Sequence, residues 1–230
     1  MSNVVEKLAR LRDDISSVAH RYGRNPDEIL LVAVTKFAQI EDIEAAYNAG
    51  HRDFGENYVQ KVIPKVNALP NDINWHFIGA VQKNKINKIL GRFVLVHSID
   101  SVHIAKQFEL RAAREGINQR VLIEVKTSYE ATKHGIEPDR TPELAQYMRD
   151  ECPHLLLDGL MTIAPYTADK DEIVRCFKTV QTLREKLELR HLSMGMTNDW
   201  QLAIEYGATI LRIGSAIFSK MMRIDVPLST

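Results

Sequence analysis

At 230 residues the chain has room for one large core or two small ones, and a hydrophobic content of 45% supplies a globular interior. Thirty basic residues balance thirty acidic ones, so no overall field favours nucleic acid or an anionic membrane; the basic run QKNKINK (82–88) reads as the wet face of a short helix. The two cysteines, Cys152 and Cys176, have no metal-binding spacing and fit a reducing, cytoplasmic compartment, while no apolar run is long enough to span a bilayer and the charged N-terminus lacks a signal core.

Residues 3–22 place Val4, Leu8, Leu11, Ile15, Val18 and Tyr22 on one helical stripe that ends near Gly23. From there short β-branched, apolar runs alternate with charged amphipathic stretches. The runs predict eight strands: ILLVAVTK, DFGEN, NWHFIG, FVLVHSID, RVLIEVKTS, LLLDGLMTI, HLSMGM and TILRIGSAIF. Helices lie between them, for example IEDIEAAYNAG closed by Gly50 and NDWQLAIEYG closed by Gly207, with Asn198 and Gln201 at capping-box spacing. Eight such repeats predict one (β/α)8 TIM-type barrel over residues 1–230 with an extra N-terminal helix. The strands are too uniformly apolar for a sheet with one wet face, which supports parallel pairing. An open doubly wound sheet is the alternative, but it calls for a glycine-rich first turn, and VTKFAQ has none.

Chemistry in such barrels collects at the C-terminal strand ends. Those ends carry Lys36, Asn57, His76 and Gly79, Ser98 and Asp100, Lys126 and Ser128, Met161, Ser193 and Gly195, then Arg212, Gly214 and Ser215. The last two strands each pair glycine with a hydroxyl ahead of a helix start, so Ser193, Gly195, Gly214 and Ser215 suggest a phosphate cup; ordinary strand-to-helix turns are the other reading. Arg212, set between Leu211 and Ile213, cannot discharge itself and needs an acceptor, either a protein carboxylate or a ligand. Lys36 closes an apolar strand and has three readings: an exposed residue just past the strand, a partner for an acid such as Glu56, or a desolvated Schiff-base amine. A Schiff-base lysine, a phosphate cup and an arginine aimed at a ring together fit pyridoxal 5′-phosphate.

With these residues assembled, the chain resembles the pyridoxal phosphate homeostasis proteins, single-domain relatives of the N-terminal, fold type III barrel of alanine racemase. The matching stretches run in order from LLVAVTK through FGENYVQK, WHFIG, VQKNK, GLM and LSMGMTNDWQLAI to RIGSAIF. The resemblance implies Lys36 as the Schiff-base residue and Ser193, Gly214 and Ser215 around the phosphate. It implies Arg212 at the pyridine nitrogen, with Asn57, His76 and Met161 lining the cofactor. His76 alone would fit a satisfied core histidine; the family pattern HFIG assigns it to the site. No catalytic residue and no metal ligand is assigned. The pattern departs from the family where VNI is usual on the fifth strand and this chain has EVKTS, and where Val81 replaces a usual leucine. Lys126 and Lys133 are further amines that could compete for an aldehyde.

An arginine at the ring nitrogen leaves a weak electron sink, so a racemase of this type depends on placed bases on both faces. Alanine racemases draw one such tyrosine from a β-rich second domain, and this chain ends at Thr230, soon after the eighth strand. The expectation is a monomeric carrier that buffers pyridoxal phosphate and meets apoenzymes transiently. A weak amino-acid racemase using Lys36 and Tyr58, Tyr129 or Tyr166 is the alternative. A Schiff-base lyase for sugar phosphates is a third reading, in which Arg212 has no ring to face.

Overall fold

A computed structural model describes residues 3–128, 134–167 and 169–219. The chain opens with α1 (Asn3–Arg21), whose stripe of Val4, Leu8, Leu11, Ile15 and Val18 is buried. Strand and helix then alternate: β1 (Leu30–Val34), α2 (Ile40–Asn48), β2 (Asp53–Glu56), α3 (Val59–Ala68), β3 (Asn74–Phe77), α4 (Ile86–Ile89), β4 (Leu95–Ile99) and α5 (Val102–Glu115). They continue as β5 (Gln119–Glu124), α6 (Thr141–Glu151), β6 (Leu155–Met161), α7 (Lys170–Lys186), β7 (His191–Ser193), α8 (Trp200–Glu205), β8 (Ile210–Ile213) and α9 (Ser215–Phe218).

The eight strands pair in sequence order and close into a barrel, all in parallel. Closure joins β1 to β8, with Leu30 opposite Ile210 and Val32 opposite Arg212. The TIM-type barrel with its extra helix is thus the observed fold, and α1 packs on α2, α8 and α9. Arg24 fastens that helix to the ring by donating to the Ile204 and Ala208 carbonyls, at 3.0 and 2.6 Å. Among the described residues no helix is long and apolar enough to cross a membrane.

Because side chains alternate along a strand, every second residue faces the barrel axis. Val32, Leu95, Leu122, Met161 and Ile210 form one buried cluster there. Stepping two residues from Val32 gives Val34 and then Lys36; from Ile210 it gives Arg212 and Gly214, and from Leu95 it gives His97. The site residues are therefore the upper positions of the same inward rows that build the core.

The predicted strands are longer than the observed ones, and the end of the predicted eighth, SAIF, is the helix α9 after a strand that stops at Ile213. β1 ends at Val34, and Lys36 lies two residues beyond it, exposed. The predicted closures at Gly50 and Gly207 hold, with φ of 84° and 88°, values open to glycine without strain. The predicted capping box does not form, because Asp199, not Asn198, precedes α8, and its carboxylate caps the Met196 N–H instead.

Candidate functional site

A cavity of about 650 Å³ opens at the C-terminal ends of the strands. It brings together Lys36, Asn57, Arg212, Gly214 and Ser215, five of the residues the sequence pointed to. Phe37, Tyr166, Thr197, Asn198 and Asp199 complete its polar and aromatic wall. A smaller cavity of about 230 Å³ shares Asn57, Ile78 and Ile163 with it and adds Glu124, Lys126 and His134.

Lys36 is the exposed amine of this wall rather than a desolvated one, and its Nζ lies 5.2 Å from the centroid of the Phe37 ring. Glu56 is not its partner. That carboxylate is fully buried and takes the ammonium of Lys65 at 2.5 Å, while its second oxygen accepts the Asn57 N–H at 2.8 Å. Lys65 also donates to the Thr35 carbonyl at 2.7 Å. One buried ion pair thus clamps the backbone on both sides of the mouth, beside Lys36 and at Asn57.

Asn57 is held by a second device. A Cβ at Gly79 would stand 2.1 Å from the Asn57 carbonyl oxygen, so only glycine lets the end of β3 approach so closely. The Asn57 side-chain Oδ1 is buried with no hydrogen-bond partner among the described residues. A buried acceptor left so costs about 1–3 kcal/mol, which a donor on a ligand would recover.

Arg212 is buried and lines the cavity. It donates to Ser193 Oγ at 2.6 Å and to the Thr162 carbonyl at 2.8 Å, and among the described residues it forms no salt bridge. Burial brings its pKa down to about 10, against the opposing pull of Asp199 and Glu124, so it stays charged at neutral pH. Glu124 behaves oppositely: burial, with Asp100 adding to it and Arg212 opposing, raises its pKa to about 7.

Four expected lining residues lie elsewhere. Ser193 is fully buried behind Arg212, with its hydroxyl between Arg212 and His97 Nδ1, the latter 2.8 Å away. Gly195 sits below the surface, where a Cβ would meet Ala203 Cβ at 2.6 Å; its role is close packing. His76 lies inside the barrel, 3.1 Å from both Asp53 and His97. Met161 belongs to the apolar cluster under the cavity. Ser193, His76 and Met161 face inward but one layer too deep, whereas Gly195 turns towards α8. In place of Ser193 and Gly195, Thr197 and Asn198 join Gly214 and Ser215, and Thr197 Oγ1 lies 2.9 Å from Ser215 Oγ.

Ser98 donates to the Gly79 carbonyl and so serves the strand end. Lys126 faces the smaller cavity with its Nζ 3.6 Å from Glu137. Tyr166 lines the main cavity and Tyr58 is exposed, while Tyr129 and Lys133 lie outside the described residues. Among the described residues no group of three or more His, Cys, Asp or Glu side chains is placed to hold a metal.

Sequence reading missed Lys65, His97 and Glu124. Period-two stepping from Leu95 would have found His97, and from Leu122 it would have found Glu124. Nothing local marks Lys65, whose role depends on how α3 packs.

A closed parallel barrel with a lysine, an arginine and a glycine–serine turn around its mouth defines a class, the N-terminal barrel of alanine racemase. Residues 7–221 match the family described as alanine racemase, N-terminal domain. The pyridoxal phosphate homeostasis protein of Aquifex aeolicus is 40% identical over 225 residues, covering 95% of this chain and 98% of that one. The protein of the same name from Escherichia coli K12 is 38% identical over 230 residues, covering 95% and 97%. PipY of Synechococcus elongatus PCC7942, solved without PLP and with PLP bound, is 33% identical with TM-scores of 0.81 and 0.79, covering 94% of this chain and all of that one. The chain belongs to the pyridoxal phosphate homeostasis protein family.

Proposed function

We propose that this protein binds pyridoxal 5′-phosphate as a Schiff base on Lys36 and acts as a single-domain, monomeric, cytoplasmic carrier that buffers the cofactor and passes it to apoenzymes. One observation carries the reading: an exposed amine, a buried guanidinium and a glycine–hydroxyl turn open onto one cavity, in a chain whose relative PipY has been solved with PLP bound.

The cofactor supplies a reactive aldehyde. The residues present fit it. Lys36 would hold it through its amine, which stands exposed in the cavity where an aldehyde can reach it. Arg212 offers N–H donors to a ring nitrogen that keeps its lone pair, since a guanidinium is a donor only. Gly214, Ser215, Thr197 and Asn198 offer hydroxyls and backbone N–H groups to the phosphate, and Asn57 Oδ1 awaits a donor.

Borohydride reduction of the loaded protein should leave a pyridoxyl adduct on the tryptic peptide carrying Lys36, and Lys36→Ala should give a colourless protein. An adduct mainly on Lys126 would overturn the assignment. The loaded protein should also reactivate an apo-transaminase on mixing. Rapid exchange of the α-proton of alanine in deuterated water, lost in Tyr166→Phe, would make it a racemase instead.

A further inference from the structure

Behind Arg212 a continuous run of hydrogen bonds crosses the barrel interior. Arg212 on β8 donates to Ser193 Oγ on β7 at 2.6 Å, and Ser193 Oγ is 2.8 Å from His97 Nδ1 on β4. His97 Nε2 is 3.1 Å from His76 Nδ1 on β3, and His76 Nε2 is 3.1 Å from Asp53 Oδ1, at the start of β2. Ser193, His97 and His76 are 0%, 0% and 2% exposed, so no bulk water competes along the run.

The ends of this run dictate its direction. Arginine has only donors and an ionised aspartate only acceptors. Arg212 fills one lone pair of Ser193, whose proton then goes to His97 Nδ1. His97 carries its own proton on Nε2 and gives it to His76 Nδ1, and His76 Nε2–H points at Asp53. Turn the histidines over, and a neutral His76 presents a bare nitrogen lone pair to a carboxylate. The electrostatics agree. Burial, with the Arg212 charge adding to it, holds the His97 pKa well below the usual histidine range. Burial alone would raise the Asp53 pKa, but the hydrogen bond from His76, with Asn74 assisting, leaves it lowered.

We infer that His97, His76 and Asp53 are positioning residues for Arg212: an ordered relay that locks the guanidinium plane through Ser193 and links it to an anion at the opposite end of the barrel. The inference rests on the reading of Arg212 as the contact to the cofactor ring. Without a carboxylate in ion-pair contact among the described residues, Arg212 keeps N–H groups for a ligand, and the relay supplies the order that a direct ion pair would otherwise give.

Two experiments test it. In protein without added cofactor, ¹⁵N spectra of labelled histidine should show His97 and His76 neutral and protonated on Nε2; Asp53→Ala should leave mixed tautomers at both. In protein loaded with pyridoxal phosphate, His97→Leu should shift the absorption band in the same direction as Arg212→Gln. It should also weaken cofactor retention about tenfold, as expected for the loss of one hydrogen bond of roughly 1.4 kcal/mol. His97→Gln, which keeps a donor and an acceptor, should restore both. Nδ1 protonation of His97, or a His97→Leu protein with unchanged spectrum and affinity, overturns the relay. If His97→Leu does not fold, the histidine spectra and the variant at the partly buried Asp53 decide it. A wild-type protein that takes up no pyridoxal phosphate would defeat the proposed function, while the tautomers still judge the relay.

Discussion

Lys36 and Lys65 attend the same turn after β1 from opposite sides of the protein surface. Lys65 buries its ammonium against Glu56 and the Thr35 carbonyl. Lys36, one residue past Thr35, holds its ammonium in the open cavity. A buried ammonium must be paired, and the pairing occupies its protons; a reactive amine has to stand where a ligand can reach it. Two carboxyls divide in a similar way. Glu56, at the end of β2, has its cation, whereas Glu124, at the end of β5, forms no salt bridge among the described residues and is pushed towards the protonated state. In this barrel the paired groups hold the mouth in shape and the others face the cavities.

The sharpest way to break this contrast is Lys65→Met, which leaves Glu56 buried without its cation. It should destabilise the protein by about 3–5 kcal/mol in urea unfolding, and adding Glu56→Leu should recover most of the loss. A cost below about 1 kcal/mol would show that the pair does not clamp the mouth.

Glu124 gives the next largest effect. The folded protein holds its proton up to about pH 7, against a usual value of 4.5. Its contribution to stability is therefore complete below about pH 4.5 and is lost as pH rises through about 7, by up to ~3 kcal/mol. The unfolding free energy of wild type relative to Glu124→Gln should fall over that interval. A difference independent of pH would mean that the carboxyl is ionised throughout, as a paired one would be.

On the open side, Ser215→Ala should weaken pyridoxal phosphate by about 1.5–3 kcal/mol, the worth of a hydrogen bond to a charged group, and leave pyridoxal unchanged. Equal losses for the two would place the phosphate elsewhere. The smallest effect is expected of Lys36→Ala on folding: a change within about 0.5 kcal/mol in the same urea experiment, as for an exposed side chain. A large loss would make Lys36 a structural lysine like Lys65.

The sequence by itself determined the number and order of the strands and the rows that reach the mouth, because these depend on local signals: period-two apolar runs, helical stripes and glycines beyond helix ends. Lys36, Asn57, Arg212, Gly214 and Ser215 were legible for that reason, each lying at the end of a strand whose inward row can be counted. Depth within the barrel was not legible. Ser193 and His76 occupy inward rows like Arg212 but end below the cavity floor, since the stagger of neighbouring strands in a closed barrel sets their height. Only tertiary structure brought His97 to Ser193, 96 residues apart, or α3 over the turn that carries Lys36. Alternation says which face a side chain takes; closure of the barrel decides what it meets there.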